Sequence, residues 1–354
     1  MHAVCVAAAR PNFMKVKPVL DALEARGAAT TLVHAGQHYD PALSQVFFDD
    51  LGLRPPDRDL GSGSGSQATQ TARVMTAFEP LLESLRPEVV VVVGDVTASL
   101  ACALVTAKSP ARLAHVEAGL RSGNRAMPEE INRIVVDRVS DLFFAPSPDA
   151  VDHLRAEGTP EQAIHLVGNV MVDTLLANLD RARARTALAD LGLEAGGYGL
   201  VTLHRPANVD DPTTFAGLLS ALGEIAGGLP LVFPVHPRTR AALADVELPD
   251  GIQAIEPLGY LDFICVEAGA RIVLTDSGGL QEETTVLGVP CVTLRDETER
   301  PVTVTEGTNR LAGRDPSRIL AVAAEALAGH WQPRRPAGWD GHAADRIADV
   351  LCAH

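Results

Sequence analysis

Three acidic side chains, two of them just after short apolar runs, could carry out acid–base chemistry. Asp95 follows five valines, Glu117 follows the run Leu113 to Val116, and Glu129 comes directly after Pro128. A charge beside a buried run is costly unless it is paired or used, and grouped carboxylates can divide the roles of general acid and general base. For Asp95 and Glu129 the alternative is structural, as a helix cap or beside the helix dipole.

The segment TDSGGLQEE, from Thr275 to Glu283, has the composition of a phosphate-binding turn. Ser277, Gly278 and Gly279 follow an apolar run and would open a helix, where free N–H groups and the helix dipole favour an anion. Glu283, about one turn further on, could accept hydrogen bonds from ribose hydroxyls. An ordinary turn capped by Ser277 explains the same residues without any ligand.

Several cationic or imidazole side chains also follow apolar runs. Arg10 and Lys15 come just after the first run of the chain, so both could reach one pyrophosphate. His204 and Arg205 stand in HRPANVDD, and His236 stands in VHPRTR. A solvent-exposed face and structural histidines are the alternatives for these two groups.

The elements that would position these residues are short, valine-rich runs separated by stretches with helical spacing. Such runs predict strands covered on both faces, and their alternation with helices predicts parallel sheets with right-handed crossovers. The pattern restarts near Leu200. We therefore predict an α/β protein with two Rossmann-like domains, residues 1–170 with the acids and residues 171–339 with the phosphate-binding turn, facing a cleft at the strand ends. A helix over 340–354 could pack on either half and is grouped with the first.

Composition excludes several classes of protein. The 354 residues carry a formal charge of −15, which disfavours nucleic acid and anionic membrane surfaces as partners. The five cysteines are widely spaced, without a CxxC pair, as expected for a reduced cytoplasmic protein. GxGxxG, Gly-Lys, HExxH and GxSxG motifs are absent, and no apolar run reaches the length of a membrane span. We expect a soluble cytoplasmic protein without a metal or other cofactor.

Together, the motifs resemble those of the non-hydrolysing UDP-N-acetylglucosamine 2-epimerases, which have a glycosyltransferase-B-like fold. The resemblance runs in the family's order from Arg10 to Leu311 and is carried by RPNFMK, GQHYD, GDVTASL, HVEAGLRSG, PEEINR, GNVMVDTL, VTLHRPANVD, VHPRT, TDSGGLQEE and RDETERPVTVTEGTNRL. It implies anti elimination of UDP across C1–C2 to a 2-acetamidoglucal, followed by re-addition, which interconverts UDP-GlcNAc and UDP-ManNAc. It also implies a homodimer.

The resemblance assigns roles to individual positions. Those implied to act on the sugar are Asp95, Glu117, Glu129, His204 and Lys15. Those implied to bind UDP are Arg10, His204, His236, Pro257, Leu258, Ser277, Gly278, Gly279 and Glu283. Gln37, His38 and Arg205 match positions at which some members bind a second, activating UDP-GlcNAc.

Some positions depart from the family's usual motifs. Asn12 and Val302 stand where glutamate is common, and Arg205-Pro206 replaces the usual Arg-Arg-Glu after the histidine. Two other functions therefore stay open at this point. One is a hydrolysing 2-epimerase or a glycosyltransferase-like enzyme acting on a related UDP-sugar, and the other is a UDP-sugar-binding protein without catalysis.

Overall fold

A computed structural model describes residues 1–8, 10–36, 50–63, 65–244, 246–329 and 334–353. The chain divides into two compact units. The first comprises Met1–Ala177 together with Ala337–His354, and the second comprises Asn178–Pro336.

The first unit is a parallel sheet flanked by helices, with the strand order β3-β2-β1-β4-β5-β6-β7. All five valines of its central strand β4 are buried, as expected for a strand covered on both faces. Its strands are β1 (His2–Ala7), β2 (Ala29–His34), β3 (Arg58–Asp59), β4 (Val89–Val93), β5 (Arg112–Val116), β6 (Leu142–Ala145) and β7 (Ile164–Leu166). Its helices begin with α1 (Arg10–Ala25), α2 (Gln67–Leu85), α3 (Thr97–Thr106), α4 (Pro128–Val139), α5 (Pro148–Ala156) and α6 (Val170–Arg183), with a short 3-10 turn at Glu161–Ala163.

Helix α2 continues through a proline, Pro80, in its fourth turn. Val74, Phe78 and Leu82 are buried on one face of this helix, whereas Pro80 lies on the exposed side. A proline in a helix interior removes one backbone hydrogen bond and strains the preceding turn. Here the apolar face packs into the core of the first unit, and this burial offsets the loss.

The second unit repeats the design, with a parallel sheet ordered β10-β9-β8-β11-β12-β13. Its strands are β8 (Gly199–Thr202), β9 (Leu231–Pro234), β10 (Ile252–Ile255), β11 (Ile272–Thr275), β12 (Cys291–Thr293) and β13 (Asn309–Leu311). Its helices are α7 (Ala187–Asp190), α8 (Pro206–Val209), α9 (Pro212–Ala226), α10 (Pro237–Leu243), α11 (Tyr260–Gly269), α12 (Gly278–Leu287), α13 (Pro301–Thr305) and α14 (Pro316–Leu327). The prediction of an α/β protein built on two parallel sheets is confirmed.

The boundary between the units lies inside helix α6, not at residue 170. The first half of this helix is tied to the first unit, because Thr174 Oγ1 donates to the Met14 carbonyl and Asp173 accepts from the amides of Ala343 and Ala344. Residues 171–177 and 337–339 therefore belong to the first unit, whereas the predicted boundaries place them in the second.

The chain returns to the first unit at its end. Its last helix, α15 (Ala343–Ala353), packs on α1. Arg26, the residue after α1, pairs with Asp345 and Asp349 of α15, at 3.2 and 2.8 Å. Trp339, 1% exposed, donates its indole N–H to the carbonyl of Pro146. The first unit thus contains both ends of the chain.

The described ranges contain no candidate membrane-spanning helix, metal-binding cluster or disulfide. Within them, no helix has the length and hydropathy needed to cross a bilayer. No cluster of three or more His, Cys, Asp or Glu side chains in these ranges is arranged to hold a metal ion. All five cysteines are free, and only Cys352 is exposed.

Candidate active site

In the first unit, Glu117 forms a buried ion pair at the end of β5. Its Oε2 atom lies 2.6 Å from Lys15 Nζ on α1, and the two side chains are 4% and 13% exposed. The other oxygen, Oε1, is buried and has no hydrogen-bond partner among the described residues. A buried acceptor without a partner is costly. This oxygen is therefore suited to act on a ligand.

Asp95, at the end of neighbouring β4, is held by the helix that carries the PEEINR motif. Arg133 of α4 donates to the Asp95 carboxylate, and Asn132 donates to the Asp95 carbonyl at 2.8 Å. Helix α3 begins at Thr97 with Val96 as its cap residue. Asp95 is therefore not the N-cap residue of this helix.

The two glutamates that follow Pro128 have different environments. Glu130 is buried and accepts hydrogen bonds from the amides of Ser122 and Gly123 and from Arg133. Although burial alone would raise the pKa of Glu130, these donors hold it below its ordinary value. Glu129 is half-buried and lines a pocket instead. Glu130 thus anchors the turn before α4, while Glu129 faces open space.

That pocket lies at the carboxyl ends of β1, β2 and β4 and has a volume of about 230 Å³. Its lining mixes small or apolar side chains with polar ones, among them Ser62, Gln67, Gln70, Asp95, Thr97, Glu129 and Asn132. The position agrees with the rule that parallel sheets bind ligands beyond their carboxyl ends. The lining can hydrogen-bond a polar ligand and contains two of the predicted acids.

In the second unit, the buried carboxylate of Asp276 organises the corresponding strand ends. Asp276 Oδ1 lies 2.9 Å from His204 Nδ1, and the carboxylate also accepts from the backbone amides of His204 and Arg205 and from the side chain of Asn208. Burial alone would raise its pKa, but these donors and the nearby imidazole lower it. Asp276 therefore fixes the orientation of His204, which stays 37% exposed.

His236 lies beside His204, with the two ring centroids 5.6 Å apart. Its Nδ1 atom accepts a hydrogen bond from the amide of Arg238 and so caps α10. Burial lowers the pKa of His236, and the proximity of His204 and Arg238 lowers it further. The two imidazole rings thus lie side by side, each just after the end of one of two adjacent strands, β8 and β9.

The predicted phosphate turn opens a helix in the structure. Helix α12 begins at Gly278, and the side chain of Ser277 makes no capping hydrogen bond. Its hydroxyl is therefore not committed to the cap. A Cβ atom on Gly278 would lie 2.7 Å from Arg300 Nη1 and 2.8 Å from Glu299 Oε1. A side chain at residue 278 would thus displace the buried Arg300–Glu299 pair.

Glu283, one turn into α12, lies in an acidic and apolar environment. It is 5% exposed, and the fully buried Glu267 of α11 has no partner for either carboxylate oxygen among the described residues. Burial raises the pKa of Glu283 to about 8, and Glu282 adds to the effect. Burial and the proximity of Glu283 likewise raise the pKa of Glu267 well above its ordinary value. These carboxyls favour the neutral form.

This environment predicts how stability depends on pH. The folded chain holds a proton on Glu283 up to about pH 8, whereas the unfolded chain releases it near the ordinary value of 4.5. The folded state binds more protons in this window, so the contribution of Glu283 to the free energy of unfolding falls as pH rises, by at most about 1.4 kcal/mol per pH unit. We expect Glu283→Gln to reduce this slope in urea titrations from pH 5 to pH 8. Glu83→Gln, on an exposed face of α2, should leave it unchanged, and equal slopes in all three proteins would contradict the prediction.

The other predicted site residues differ in burial, and some lie outside the described part of the chain. Pro257 is exposed and Leu258 half-buried, in the segment between β10 and α11. Arg205 is half-buried, 4.0 Å from Glu299 within the second unit. The side chain of Arg10 and the whole of Gln37 and His38 lie outside the described residues. The roles assigned to all of these positions stay predictions.

The structure adds residues that the sequence analysis did not select. Arg133 binds Asp95, Asp276 binds His204, and Asp137 binds His115. The sequence could have indicated Asp276 as a site residue, because it comes directly after β11. Asp95 was selected by the same signal, two residues after the end of β4. Arg133 and Asp137 lie within a helix, where spacing alone does not distinguish a buried ion pair from an exposed charge.

Comparison with known proteins identifies the family. The family model described as UDP-N-acetylglucosamine 2-epimerase matches residues 21–352. A UDP-N-acetylglucosamine 2-epimerase of Methanococcus maripaludis is 38% identical over 97% of this chain and 96% of its own length. A UDP-2,3-diacetamido-2,3-dideoxy-D-glucuronate 2-epimerase of Pseudomonas aeruginosa is 39% identical over 99% of both.

Solved structures agree with this result. The crystal structure of Methanocaldococcus jannaschii UDP-GlcNAc 2-epimerase, in complex with UDP-GlcNAc and UDP, matches over 100% of both chains with a TM-score of 0.92 and 38% identity. The fold, the order of the motifs and the sequence similarity over nearly the whole length agree. The chain belongs to the UDP-N-acetylglucosamine 2-epimerase family.

Proposed function

We propose that this protein is an isomerase that interconverts UDP-GlcNAc and UDP-ManNAc. Beyond family membership, the observation that carries the proposal is the Lys15–Glu117 pair, in which one carboxylate oxygen is buried and has no partner among the described residues. A protein that only retained UDP would have no use for this arrangement, whereas proton abstraction from a sugar carbon requires such an oxygen.

The chemistry explains why several acids are needed. The C2 hydrogen of the sugar is weakly acidic, so elimination needs a positioned base. In our proposal Glu117 takes this proton, the C2–H electron pair forms the C1–C2 double bond, and the C1–O bond breaks with its electron pair passing to UDP. Re-addition reverses these steps, with a proton delivered to the other face of C2. Asp95 and Glu129 are the candidates for this second proton transfer.

The leaving diphosphate is assigned to the second unit. His204 is oriented by Asp276, and the backbone at Gly278 and Gly279 opens a helix whose N–H groups suit an anion. Neutralising the negative charge that develops on UDP lowers the barrier to elimination. The side chain of Ser277, which makes no cap bond, provides a further donor.

The sugar has a second candidate. The Pseudomonas relative, named for a 2,3-diacetamido-2,3-dideoxy-D-glucuronate substrate, is as similar to this chain as the UDP-GlcNAc epimerases are. Asn12 and Val302 also replace residues common in the latter group. A UDP-2,3-diacetamido sugar acid is therefore the alternative substrate.

A comparison of the two UDP-sugars tests the proposal. The purified protein is incubated with each, and the products are separated and identified by proton NMR. Formation of UDP-ManNAc from UDP-GlcNAc supports the main proposal, and conversion of the diacetamido sugar alone supports the alternative. Release of free UDP with a free 2-epimerised sugar would instead indicate a hydrolysing enzyme. Binding without turnover of either sugar would contradict an isomerase.

We also propose a cytoplasmic homodimer. The free, mostly buried cysteines suit a reducing compartment, and the dimer follows from the family resemblance. Light scattering during gel filtration measures the mass directly. A mass near 37.3 kDa, that of one chain, would contradict the dimer.

A further inference from the structure

The carboxylate of Asp137, on α4, contacts the chain on both sides of Glu117. This side chain is 4% exposed and does not line the pocket that contains Asp95 and Glu129. Its Oδ1 atom lies 2.6 Å from His115 Nδ1, two residues before Glu117. Its Oδ2 atom accepts from the amide of Gly119, two residues after Glu117, at 3.0 Å.

The turn between these two contacts is strained. Glu117 has a φ of 68°, in the left-handed region that non-glycine residues rarely adopt. Gly119 has a φ of 83°, and a Cβ atom there would lie 2.2 Å from the carbonyl oxygen of Ala150 in α5. Such a conformation persists only where the surrounding structure holds it. The two bonds to Asp137 provide that restraint.

His115 extends the restraint to the neighbouring strand. Its Nε2 atom lies 3.2 Å from the carbonyl oxygen of Gly94, the residue before Asp95. A Cβ atom on Gly94 would lie 3.0 Å from Glu117 Oε2 and 3.6 Å from Lys15 Nζ. The backbone that His115 fixes is therefore in direct proximity to the Lys15–Glu117 pair.

Both ring nitrogens of His115 face acceptors, the carboxylate of Asp137 and the carbonyl of Gly94. The His115 ring and the guanidinium of Arg121, 2.7 Å from Asp137 Oδ2, lower the pKa of Asp137, although burial alone would raise it. Asp137 therefore favours its ionised form, in which both oxygens accept hydrogen bonds.

We propose that Asp137 is a positioning residue of the active site. Through its contacts with His115 and Gly119, it holds the Glu117 turn and the Gly94–Asp95 turn in one fixed arrangement. It touches no reacting atom and acts through Glu117 and Asp95. This inference rests on the proposed function, in which those two acids transfer protons.

The test compares Asp137→Asn with a matched control, Asp141→Asn. Asp141 also accepts a hydrogen bond from β5, but from the amide of Leu113 at the opposite end of that strand. We expect Asp137→Asn to lower kcat by about 10²-fold, the effect of a small misplacement of a catalytic group. KM and the UDP affinity measured by calorimetry should stay close to wild type. Asp141→Asn should leave kcat unchanged.

A spectroscopic measurement separates positioning from general stabilisation. In ¹⁵N-labelled protein, the NMR signals of the His115 ring nitrogens and of the Gly119 amide should shift in Asp137→Asn and keep their wild-type positions in Asp141→Asn. Wild-type kcat in a folded Asp137→Asn protein, or unshifted His115 and Gly119 signals in that variant, would overturn the inference. Should Asp137→Asn fail to fold, His115→Gln replaces it, and wild-type kcat in that variant would overturn the inference as well.

The outcomes distinguish this inference from the proposed function. A wild-type protein that converts neither UDP-sugar contradicts the proposed function, and the NMR result then decides the His115–Asp137 arrangement by itself. An active wild type with an unaffected Asp137→Asn variant contradicts only the positioning role.

Discussion

Glu117→Gln is expected to lower turnover by about 10²- to 10⁴-fold, the usual cost of losing a general acid or base. The amide has the same shape as the carboxylate but cannot take a proton from C2. Because Glu117 belongs to the first unit and the UDP assignment to the second, UDP affinity should be retained. Initial rates by NMR and UDP titration by calorimetry measure the two quantities separately.

Glu83→Gln is the matched control for this experiment. Glu83 lies on an exposed face of α2, so its amide should have wild-type turnover. A Glu117→Gln protein that also turned over at the wild-type rate would remove Glu117 from catalysis. Equal losses in both variants would point to a general effect of charge.

Arg133→Met is expected to lower the free energy of unfolding by about 3–5 kcal/mol, the usual cost of removing one partner from a buried ion pair. Arg133 is 4% exposed and binds both Asp95 and Glu130, at 2.7 Å in the latter case. Methionine keeps much of the side-chain volume but leaves two carboxylates without their shared cation. Turnover should fall as well, because Asp95 loses its orientation. Urea denaturation gives the free energy.

Arg138→Met on the same helix serves as the comparison. Arg138 is exposed and donates a hydrogen bond of 3.3 Å to the carbonyl of Glu157. Its loss should cost less than about 1 kcal/mol. A similar cost for the two variants would show that the Arg133 network does not stabilise the fold as we argue.

Much of the fold could be predicted because its signals are local. The five valines of β4 indicate a strand buried on both faces, and the alternation with helices indicates a parallel sheet. The division within helix α6 could not be predicted in this way. It depends on Thr174 and Asp173 reaching Met14 and the last helix, which are far away in the sequence.

The candidate site shows the same limit. Asp95, Glu117 and His204 could be selected because polar residues at the ends of apolar runs converge at one edge of a parallel sheet. The sequence could not show that these three residues bind Arg133, Lys15 and Asp276. Each pair joins residues at least 38 positions apart. The capping alternative for Asp95 likewise required knowledge of where α3 begins.

The central claim is that this chain breaks and re-forms the C2–H bond of a UDP-sugar. The most direct measurement is incubation of wild-type protein with UDP-GlcNAc in D₂O, followed by proton NMR of the C2 position. The account predicts that UDP-ManNAc forms and that deuterium replaces the C2 hydrogen in both UDP-sugars. UDP-ManNAc that retains its original C2 hydrogen, or intact UDP-GlcNAc without exchange, would contradict it.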